Sequence, residues 1–483
     1  MINLDMFFNP KSVAVIGASR KKNSAGQGIL KSLLKGGVFL NKSNKPFKGK
    51  IFPVNPNAKR ILGKKCYPSI LDIKSKVDLA IISLNSKLVL NVVKECAKKK
   101  VKGIIIISAG FSELGNEGKK LEEEILNIAK KNKIRIIGPN CLGLLRPGII
   151  NASFGPCMPE QGEIAFFSQS GALIDSVIDW SLERKYGFSS IVSLGNQLDL
   201  DITDFLEWAL YDKKTKAIAL YIEGLKDGKK FMEIAKKVSK IKPIVALKAG
   251  KSETGIKAVS SHTGSLAGSY DVYKTAFKQS GIILADNVED LFEIAQTLAN
   301  QPACLENNIA IITNGGGAGV LCADHCETLG IKLAKLSDET IKKLDESKKM
   351  HPAYSRSNPL DLIGDALHDR YKVAIDTLLK QKDIHGLIVI QTLQTMTESV
   401  LDAYALIEAR KKYPKKPIIA NYMGGKFTKK SINLLEANNL TNFNNPYKSS
   451  VHMKALIDRG NWLKKKDRNI QKDNKKRSIK ILN

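Results

Sequence analysis

The sequence predicts an α/β protein of three consecutive doubly wound domains, and three observations carry that reading. Short β-branched and apolar runs alternate with longer helical patterns from one end to the other, the signature of parallel sheets with helices on both faces. At roughly 100–200 residues per domain, a chain of 483 residues holds about three of them. Finally, each third opens with a strand that runs into small residues and then a helix: Gly17-Ala18-Ser19, Ser168-Gln169-Ser170-Gly171 and Thr313-Asn314-Gly315-Gly316-Gly317.

The first domain is expected over 1–150, with strands at 13–16, 51–54, 79–82, 103–107 and 134–137 and helices at 89–99 and 119–131. The second is expected over 151–303, with strands at 163–167, 190–194, 217–222 and 244–248. The third is expected over 304–463, with strands at 309–313, 386–390 and 417–420. A basic tail follows at 464–483. It carries nine basic and two acidic residues between Lys464 and Lys480 and is expected to lack structure.

Composition removes several classes. Apolar residues make up 43% and charged residues 26%, which is ordinary for a soluble globular chain. The apolar runs, such as Ile104-Ile105-Ile106-Ile107, are far below the roughly 18 residues of a membrane span. Residues 1–8 carry Asp5 and lack a basic region followed by a long apolar one, so no secretory signal is expected. The seven cysteines are odd in number and form no CxxC pair, which points away from a disulfide framework and towards a reducing cytoplasm. Lys and Arg outnumber Asp and Glu by 77 to 47, a net charge of +30. That charge is spread along the chain rather than focused, which argues against nucleic acid as the main partner.

The small-residue turns present backbone N–H groups at helix starts, where anions bind. The first is a poor dinucleotide fingerprint. After Gly17 the next glycines are Gly26 and Gly28, and the second strand ends in Val54-Asn55-Pro56 without the acid that holds ribose hydroxyls. A basic stretch, Arg20-Lys21-Lys22, follows instead and suits a ligand richer in phosphate. No GxxxxGK[ST] occurs. The nearest string, Gly224 to Lys230, has the wrong spacing, so any nucleotide that exchanges phosphate belongs on another chain.

The most informative stretch is Val259-Ser260-Ser261-His262-Thr263-Gly264-Ser265-Leu266-Ala267-Gly268-Ser269. A lone histidine stands among hydroxyl and glycine residues between a strand and a helix, with no companion at metal-ligand spacing. A neutral imidazole is a good phosphoryl acceptor, and nearby N–H groups, hydroxyls and a helix dipole would hold the phosphoryl oxygens. Such a histidine needs a carboxylate on its other nitrogen. Glu223, directly after the strand at 217–222, stands at the ligand-binding edge of an open sheet.

With these residues in place, the chain resembles the α subunit of ADP-forming acetyl-CoA (acyl-CoA) synthetase, a relative of the succinyl-CoA synthetase α subunit. The resemblance runs from about residue 5 to 460. It rests on Ser12-Val13-Ala14-Val15-Ile16-Gly17-Ala18-Ser19, Ser108-Ala109-Gly110-Phe111-Ser112-Glu113, Ile137-Gly138-Pro139-Asn140-Cys141-Leu142-Gly143, Phe167-Ser168-Gln169-Ser170-Gly171, Ser193-Leu194-Gly195-Asn196, the Glu223 strand end, the His262 turn, Thr313-Asn314-Gly315-Gly316-Gly317 and Asn358-Pro359-Leu360-Asp361. It implies a Rossmann-like CoA-binding domain followed by two flavodoxin-like CoA-ligase domains. It also implies a reversible reaction in which acyl-CoA, ADP and phosphate give the free acid, ATP and CoA through an acyl phosphate and a phosphohistidine at His262, with Glu223 orienting the imidazole. Gly17, Ser19, Arg20, Ser83, Ser108 and Asn140 fall at CoA-contact positions. Ser168, Gln169, Ser170, Gly171, Gly195, Asn196 and Gly264 fall at phosphate-binding ones. The implied partner is an ATP-grasp β subunit in an α2β2 assembly, which holds ADP or ATP with Mg²⁺. No resident metal is implied on this chain.

Two stretches of the third domain depart from the family pattern: Gln391-Thr392-Leu393-Gln394 and Asn438 to Phe443 lack prolines the family often has there. Among lesser features, Cys141 reads as a buried structural thiol, and Trp180 and Trp208 read as helix-packing residues. Cys322 and Cys326 share a helical neighbourhood with no second ligand pair. The competing reading is a CoA- or acyl-CoA-binding regulator without catalysis, and an intact His262–Glu223 pair speaks against it.

Overall fold

The structure is a computed structural model that describes residues 3–184, 186–263 and 269–481, with backbone alone for 260–263 and 466–481. The chain divides into two compact units, Met1–Ala295 and Gln296–Asn483. The α/β class is as expected.

The first unit holds two sheets. Its opening half has strands β1 (Ser12–Ile16), β2 (Lys50–Val54), a small hairpin of β3 (Arg60–Ile61) and β4 (Lys64–Lys65), β5 (Leu79–Ile82), β6 (Gly103–Ile106) and β7 (Arg135–Ile137). Its helices are α1 (Asp5–Phe8), α2 (Ala25–Lys35), α3 (Ser86–Lys98) and α4 (Asn116–Lys131). The main strands pair in parallel in the order β2-β1-β5-β6-β7. Every residue of β1, β5 and β6 is buried, because helices cover both faces and leave no position for a polar alternation. The chain order reverses at β1, so ligands are expected beyond the carboxyl ends of β1 and its neighbours.

The second half has β8 (Gly143–Arg146), β9 (Ile150–Ser153), β10 (Gln161–Ser168), β11 (Phe188–Ser193), β12 (Ala217–Ile222), β13 (Ile244–Lys248) and β14 (Ile282–Leu284). Its helices are α5 (Gly171–Arg184), α6 (Ile202–Tyr211), α7 (Gly228–Ser239), α8 (Glu253–Thr263), α9 (Tyr270–Gln279) and α10 (Val288–Asn300). The sheet order is β14-β13-β12-β10-β11-β8-β9. It is parallel throughout except for the β8–β9 hairpin, which adds antiparallel to β11. That hairpin turns at Pro147-Gly148, with the Ile149 N–H on the Arg146 carbonyl at 2.9 Å. Residue 150, the expected end of the first domain, is the first residue of β9.

One buried ion pair ties the elements of this unit together. Arg146 on β8 and Asp212 after α6 meet in a two-pronged contact at 2.7 and 3.0 Å. Their side chains are 6% and 7% exposed. The guanidinium lies over the rings of Trp208 and Phe8, which stack at 3.6 Å. Trp208 is thus a packing residue, as expected. Trp180 is not: it is 47% exposed, because α5 buries the stripe Ile174, Val177, Ile178 and Ser181 and turns position 180 away from it.

The second unit carries one parallel sheet of β15 (Ala310–Thr313), β16 (Leu360–Asp361), β17 (Leu387–Thr392) and β18 (Ile418–Met423), ordered β16-β15-β17-β18. Around it run α11 (Gly316–Thr328), α12 (Asp338–Glu346), α13 (His368–Lys380), α14 (Ser399–Lys412), α15 (Lys429–Ala437) and α16 (Pro446–Ile481). The backbone of α16 continues through the tail expected to lack structure. That tail has no Gly or Pro after Gly460, and Lys, Arg and Gln are good helix formers. Cys322 and Cys326 are buried and each meets the Ser450 hydroxyl, at 3.6 and 3.5 Å. Gln391, one of the departures from the family pattern, is wholly buried at the end of β17 and donates its amide to the Asp402 carboxylate. Burial pushes the Asp402 carboxyl up to about 7. No helix among the described residues is long and apolar enough to cross a membrane.

Two stability outcomes follow from these buried acids. Asp212→Ala strands a buried guanidinium and should cost about 3–5 kcal/mol in urea unfolding, where a surface pair would cost under about 1. Asp402 works in the opposite sense with pH. Its unfolded carboxyl titrates near ~3.9, so the folded chain keeps a proton that the unfolded chain gives up. The stabilisation from this group is full below that value and lost as pH rises through about 7. Urea midpoints should therefore show wild type losing ground to Asp402→Asn between pH 5 and pH 8. Parallel pH profiles for the two proteins would contradict this.

Candidate active site

The carboxyl ends of β1, β5 and β6 gather four of the residues expected to contact CoA. Gly17 leaves β1 with φ +91°, and its N–H donates to the Val54 carbonyl at 3.1 Å. A Cβ there would lie 2.1 Å from the Ser83 carbonyl, so only glycine lets the end of β1 press against the end of β5. Ser108, after β6, accepts the Leu84 N–H on its hydroxyl at 3.1 Å and the Asn140 N–H on its carbonyl at 2.9 Å. Asn140 itself is in the left-handed region, φ +56°. The loop after Gly17 is further out. The Ser19 hydroxyl accepts the Lys21 N–H at 3.0 Å, and exposed Arg20 donates to the Asn57 carbonyl at 3.2 Å.

The segment after β11 then crosses this edge. The Asn196 N–H donates to the Pro139 carbonyl, and the Leu198 N–H to that of Gly138, both at 2.9 Å. Gly195 has φ +55°, and a Cβ on it would sit 2.0 Å from the Pro139 carbonyl. The Asn196 amide reaches Glu113 Oε2 at 2.6 Å, Glu122 Oε1 at 2.9 Å and the Ser112 hydroxyl at 3.2 Å. Burial raises the Glu113 carboxyl, but the Asn196 amide and the Gly110 N–H more than offset it and hold the group below the usual carboxylate range.

The third component is the turn from β10 into α5. The Ser168 hydroxyl accepts the Ser170 N–H at 3.1 Å and donates to the Ser170 carbonyl at 2.8 Å, which closes a tight turn before the helix starts at Gly171. Gln169 leaves this turn to hold the end of β12. Its Oε1 accepts the N–H groups of Glu223 and Gly224, the latter at 3.0 Å, and its Nε2 donates to the Gly224 carbonyl at 2.7 Å. Glu223 is 5% exposed, so it is not a solvated loop acid. On the neighbouring strand, Lys248 is buried over the Tyr273 ring, and the Tyr273 hydroxyl accepts the Leu225 N–H at 3.1 Å. Burial lowers the Lys248 pKa, and Glu223 partly restores it.

These three components line one cleft of about 1410 Å³. Ser83, Ser108 and Asn140 stand in its wall with Gln169, Ser170 and Gly171, and with Gly195, Asn196 and Glu223. Gly17 and Ser168 stand behind it, braced against Ser83 and Ser170, while Ser19 and Arg20 lie outside its lining. The cleft also takes in Glu113, Glu122, Asp175 and Lys226, which the sequence reading did not single out. Glu113 closes one of the matching strings, so its signal was present; Glu122 was hidden in the acidic run of α4. His262 falls, in backbone, in the last turn of α8 rather than in a loop before a helix start. Residues 253–261 contain no proline and begin with an acid, both of which favour a helix. The His262 side chain and the whole of Gly264 lie outside the described residues. Cys141 is buried, its thiol on the Ile106 carbonyl at 3.3 Å, as a structural thiol should be.

Comparison with known proteins gives the lineage. Residues 11–147 match a family model described as CoA binding domain, 161–298 one described as succinyl-CoA ligase like flavodoxin domain, and 309–468 one described as Ligase-CoA domain. An ADP-forming acetate–CoA ligase I of Archaeoglobus fulgidus is 42% identical over 96% of this chain, which spans 65% of that protein's length. The α subunit of ADP-forming acetate–CoA ligase II of Pyrococcus furiosus is 41% identical over 94% of this chain and 97% of its own. Among solved structures, acetyl-coenzyme A synthetase 1 of Ca. Korarchaeum cryptofilum, in complex with phosphate and ADP, superposes with a TM-score of 0.88 at 37% identity, over 96% of this chain and 99% of that one. The order of domains, the cleft at the carboxyl ends of the first two sheets and relatives of this similarity along nearly the whole chain lead to one conclusion: the chain belongs to the ADP-forming acetate–CoA ligase family, on its α-subunit side.

Proposed function

We propose that this chain is the α subunit of an ADP-forming acyl-CoA ligase that converts acyl-CoA, ADP and phosphate reversibly to the free acid, ATP and CoA. One observation carries the reading: Ser83, Ser108 and Asn140, expected to meet CoA, line a single cleft with Gln169, Ser170, Gly171, Gly195 and Asn196, expected to meet phosphate, and Glu223 stands in its wall. In the first step a phosphate oxygen attacks the thioester carbonyl carbon and the CoA thiolate leaves, giving an acyl phosphate. In the second, an imidazole nitrogen of His262 attacks phosphorus and the carboxylate leaves as the free acid. In the third, ADP takes the phosphoryl group from His262.

Each step asks this chain for positioning and charge stabilisation. Ser83, Ser108 and Asn140 hold CoA at the carboxyl edge of the first sheet, with Gly17, Ser19 and Arg20 at its phosphate-bearing end. The turn that Ser168 closes, with Gln169, Ser170 and Gly171 in the cleft wall, aims the start of α5 at the phosphate, where the helix dipole favours an anion. Gly195, Asn196 and Gly264 complete that pocket. Glu223 fixes the imidazole tautomer and stabilises the cation formed on phosphorylation. The nucleotide and its Mg²⁺ belong to an ATP-grasp β subunit in an α2β2 assembly, and a cytoplasmic location fits seven free cysteines.

Labelling tests this directly. Purified chain, with and without its ATP-grasp partner, is incubated with acetyl-CoA and labelled phosphate. Wild type should gain an acid-labile, base-stable label, and His262→Ala should gain none. Absence of label across several acyl-CoAs, with CoA binding intact, would overturn the enzymatic reading in favour of a CoA-binding regulator. Gln169→Ala removes the three hydrogen bonds that hold the Glu223 strand end. It should slow labelling by about 10- to 100-fold, the range of one to three kcal/mol of lost positioning, while CoA affinity stays within about threefold.

A further inference from the structure

Of the cleft-lining acids that the mechanism above does not use, Glu113 and Glu122 are held by the Asn196 amide, and Asp175 is not. It lies on α5, four residues past Gly171, and so one turn along the helix whose start is assigned to phosphate. Side chains four apart on a helix stand about 5–6 Å from each other. Asp175 therefore faces the ground next to the phosphate, where the acyl group of a thioester under attack has to lie. Its Oδ1 is buried and has no hydrogen-bond partner among the described residues. Gly155 packs against that oxygen, and Leu142, Phe154 and Ala172 line the same cleft together with the other acids and Lys226. A carboxylate oxygen buried without a hydrogen bond is costly to keep, as polar groups held for function are. Burial pushes this carboxyl up to about 6, so it is ionised at neutral pH.

We propose that Asp175 selects the acyl moiety in this cleft, rejecting acyl chains that end in a second carboxylate and admitting uncharged ones, including those that end in a hydrogen-bond donor. The inference rests on the ligase reading and names the substrate class for the same site. A terminal carboxylate would bring two like charges together beside a partly buried acid, where they repel. A terminal amide of the same length carries no charge and meets no such repulsion.

The test uses the full chain assembled with its ATP-grasp partner and three four-carbon thioesters: butyryl-CoA, succinyl-CoA and succinamyl-CoA, the neutral amide of the second. CoA release with ADP and phosphate gives kcat/KM. Wild type should take succinamyl-CoA nearly as well as butyryl-CoA and succinyl-CoA about tenfold less well at pH 7, the most that repulsion can cost beside a carboxyl that titrates at about 6. Asp175→Asn should bring succinyl-CoA to within about threefold of succinamyl-CoA, since the repulsion is gone, and leave butyryl-CoA nearly unchanged. The wild-type comparison alone overturns the proposal if amide and carboxylate are rejected equally. An Asp175→Asn enzyme that loses all three thioesters in parallel also overturns it, and marks the residue as scaffold. Turnover of acetyl-CoA with none of the three would assign selection to a steric wall instead. Failure of wild type on acetyl-CoA as well would sink the ligase reading rather than this residue's part in it.

Discussion

The contact on which the site depends is the docking of the segment after β11 onto the edge of the first sheet. Gly195 lies so close to the Pro139 carbonyl that no side chain fits between them, and the Asn196 N–H donates to that same carbonyl. Without this approach the first sheet would keep its carboxyl edge and the second would keep its turn into α5, but the two would not share a wall. The seam continues outward through Leu200, whose N–H donates to the Ile136 carbonyl at 3.2 Å, and through the Arg135–Asp199 pair at 2.8 Å. Backbone hydrogen bonds, an ion pair and a glycine contact fix the geometry jointly, and that is how a site assembled from two sheets holds its shape.

Charge is arranged on two scales. Over the whole chain the balance is +30, which favours approach of polyanionic ligands such as CoA, phosphate and nucleotides. Within the cleft the conspicuous charges are acids. Glu113 and Glu122 are gathered by one asparagine amide, which holds them in fixed directions and leaves less charge facing a bound anion. Glu223 is kept at its strand end by backbone contacts to Gln169 and stands near buried Lys248. The general attraction comes from the surface, while the lining is specific and strongly hydrogen-bonded.

Much of the fold was legible in the sequence because strands buried on both faces leave a strong trace. Runs such as Leu79-Ala80-Ile81-Ile82 admit no polar alternation, and the parallel strands of four residues or more all showed such runs. The strands that escaped were short or at the sheet margin: the β3–β4 and β8–β9 hairpins, three-residue β14 and two-residue β16. Every residue of β8 and β9 is buried, but Gly143-Leu144-Leu145-Arg146 and Ile150-Asn151-Ala152-Ser153 hold no continuous β-branched run, and the remaining strands are too short for a pattern to set them apart from loops. The Pro147-Gly148 turn did signal the hairpin, but a domain boundary was read through it. Within α4, Glu122 is buried while Glu123 and Glu124 are exposed, and nothing in the string of three acids says which one turns inward.

The sequence by itself determined the class, the order of the domains, the strand ends that carry Gly17, Ser108, Ser168 and Glu223, and the family. All of these are local: a strand, a turn and the residue type that a turn requires are written within a few neighbouring positions. Only the tertiary structure decided which strand ends share a cleft, that Glu223 is buried, that Asn196 bridges two glutamates, and that Asp175 joins the lining of that cleft. These depend on contacts between residues up to about a hundred positions apart, and no local pattern encodes which carboxylate a distant amide will reach.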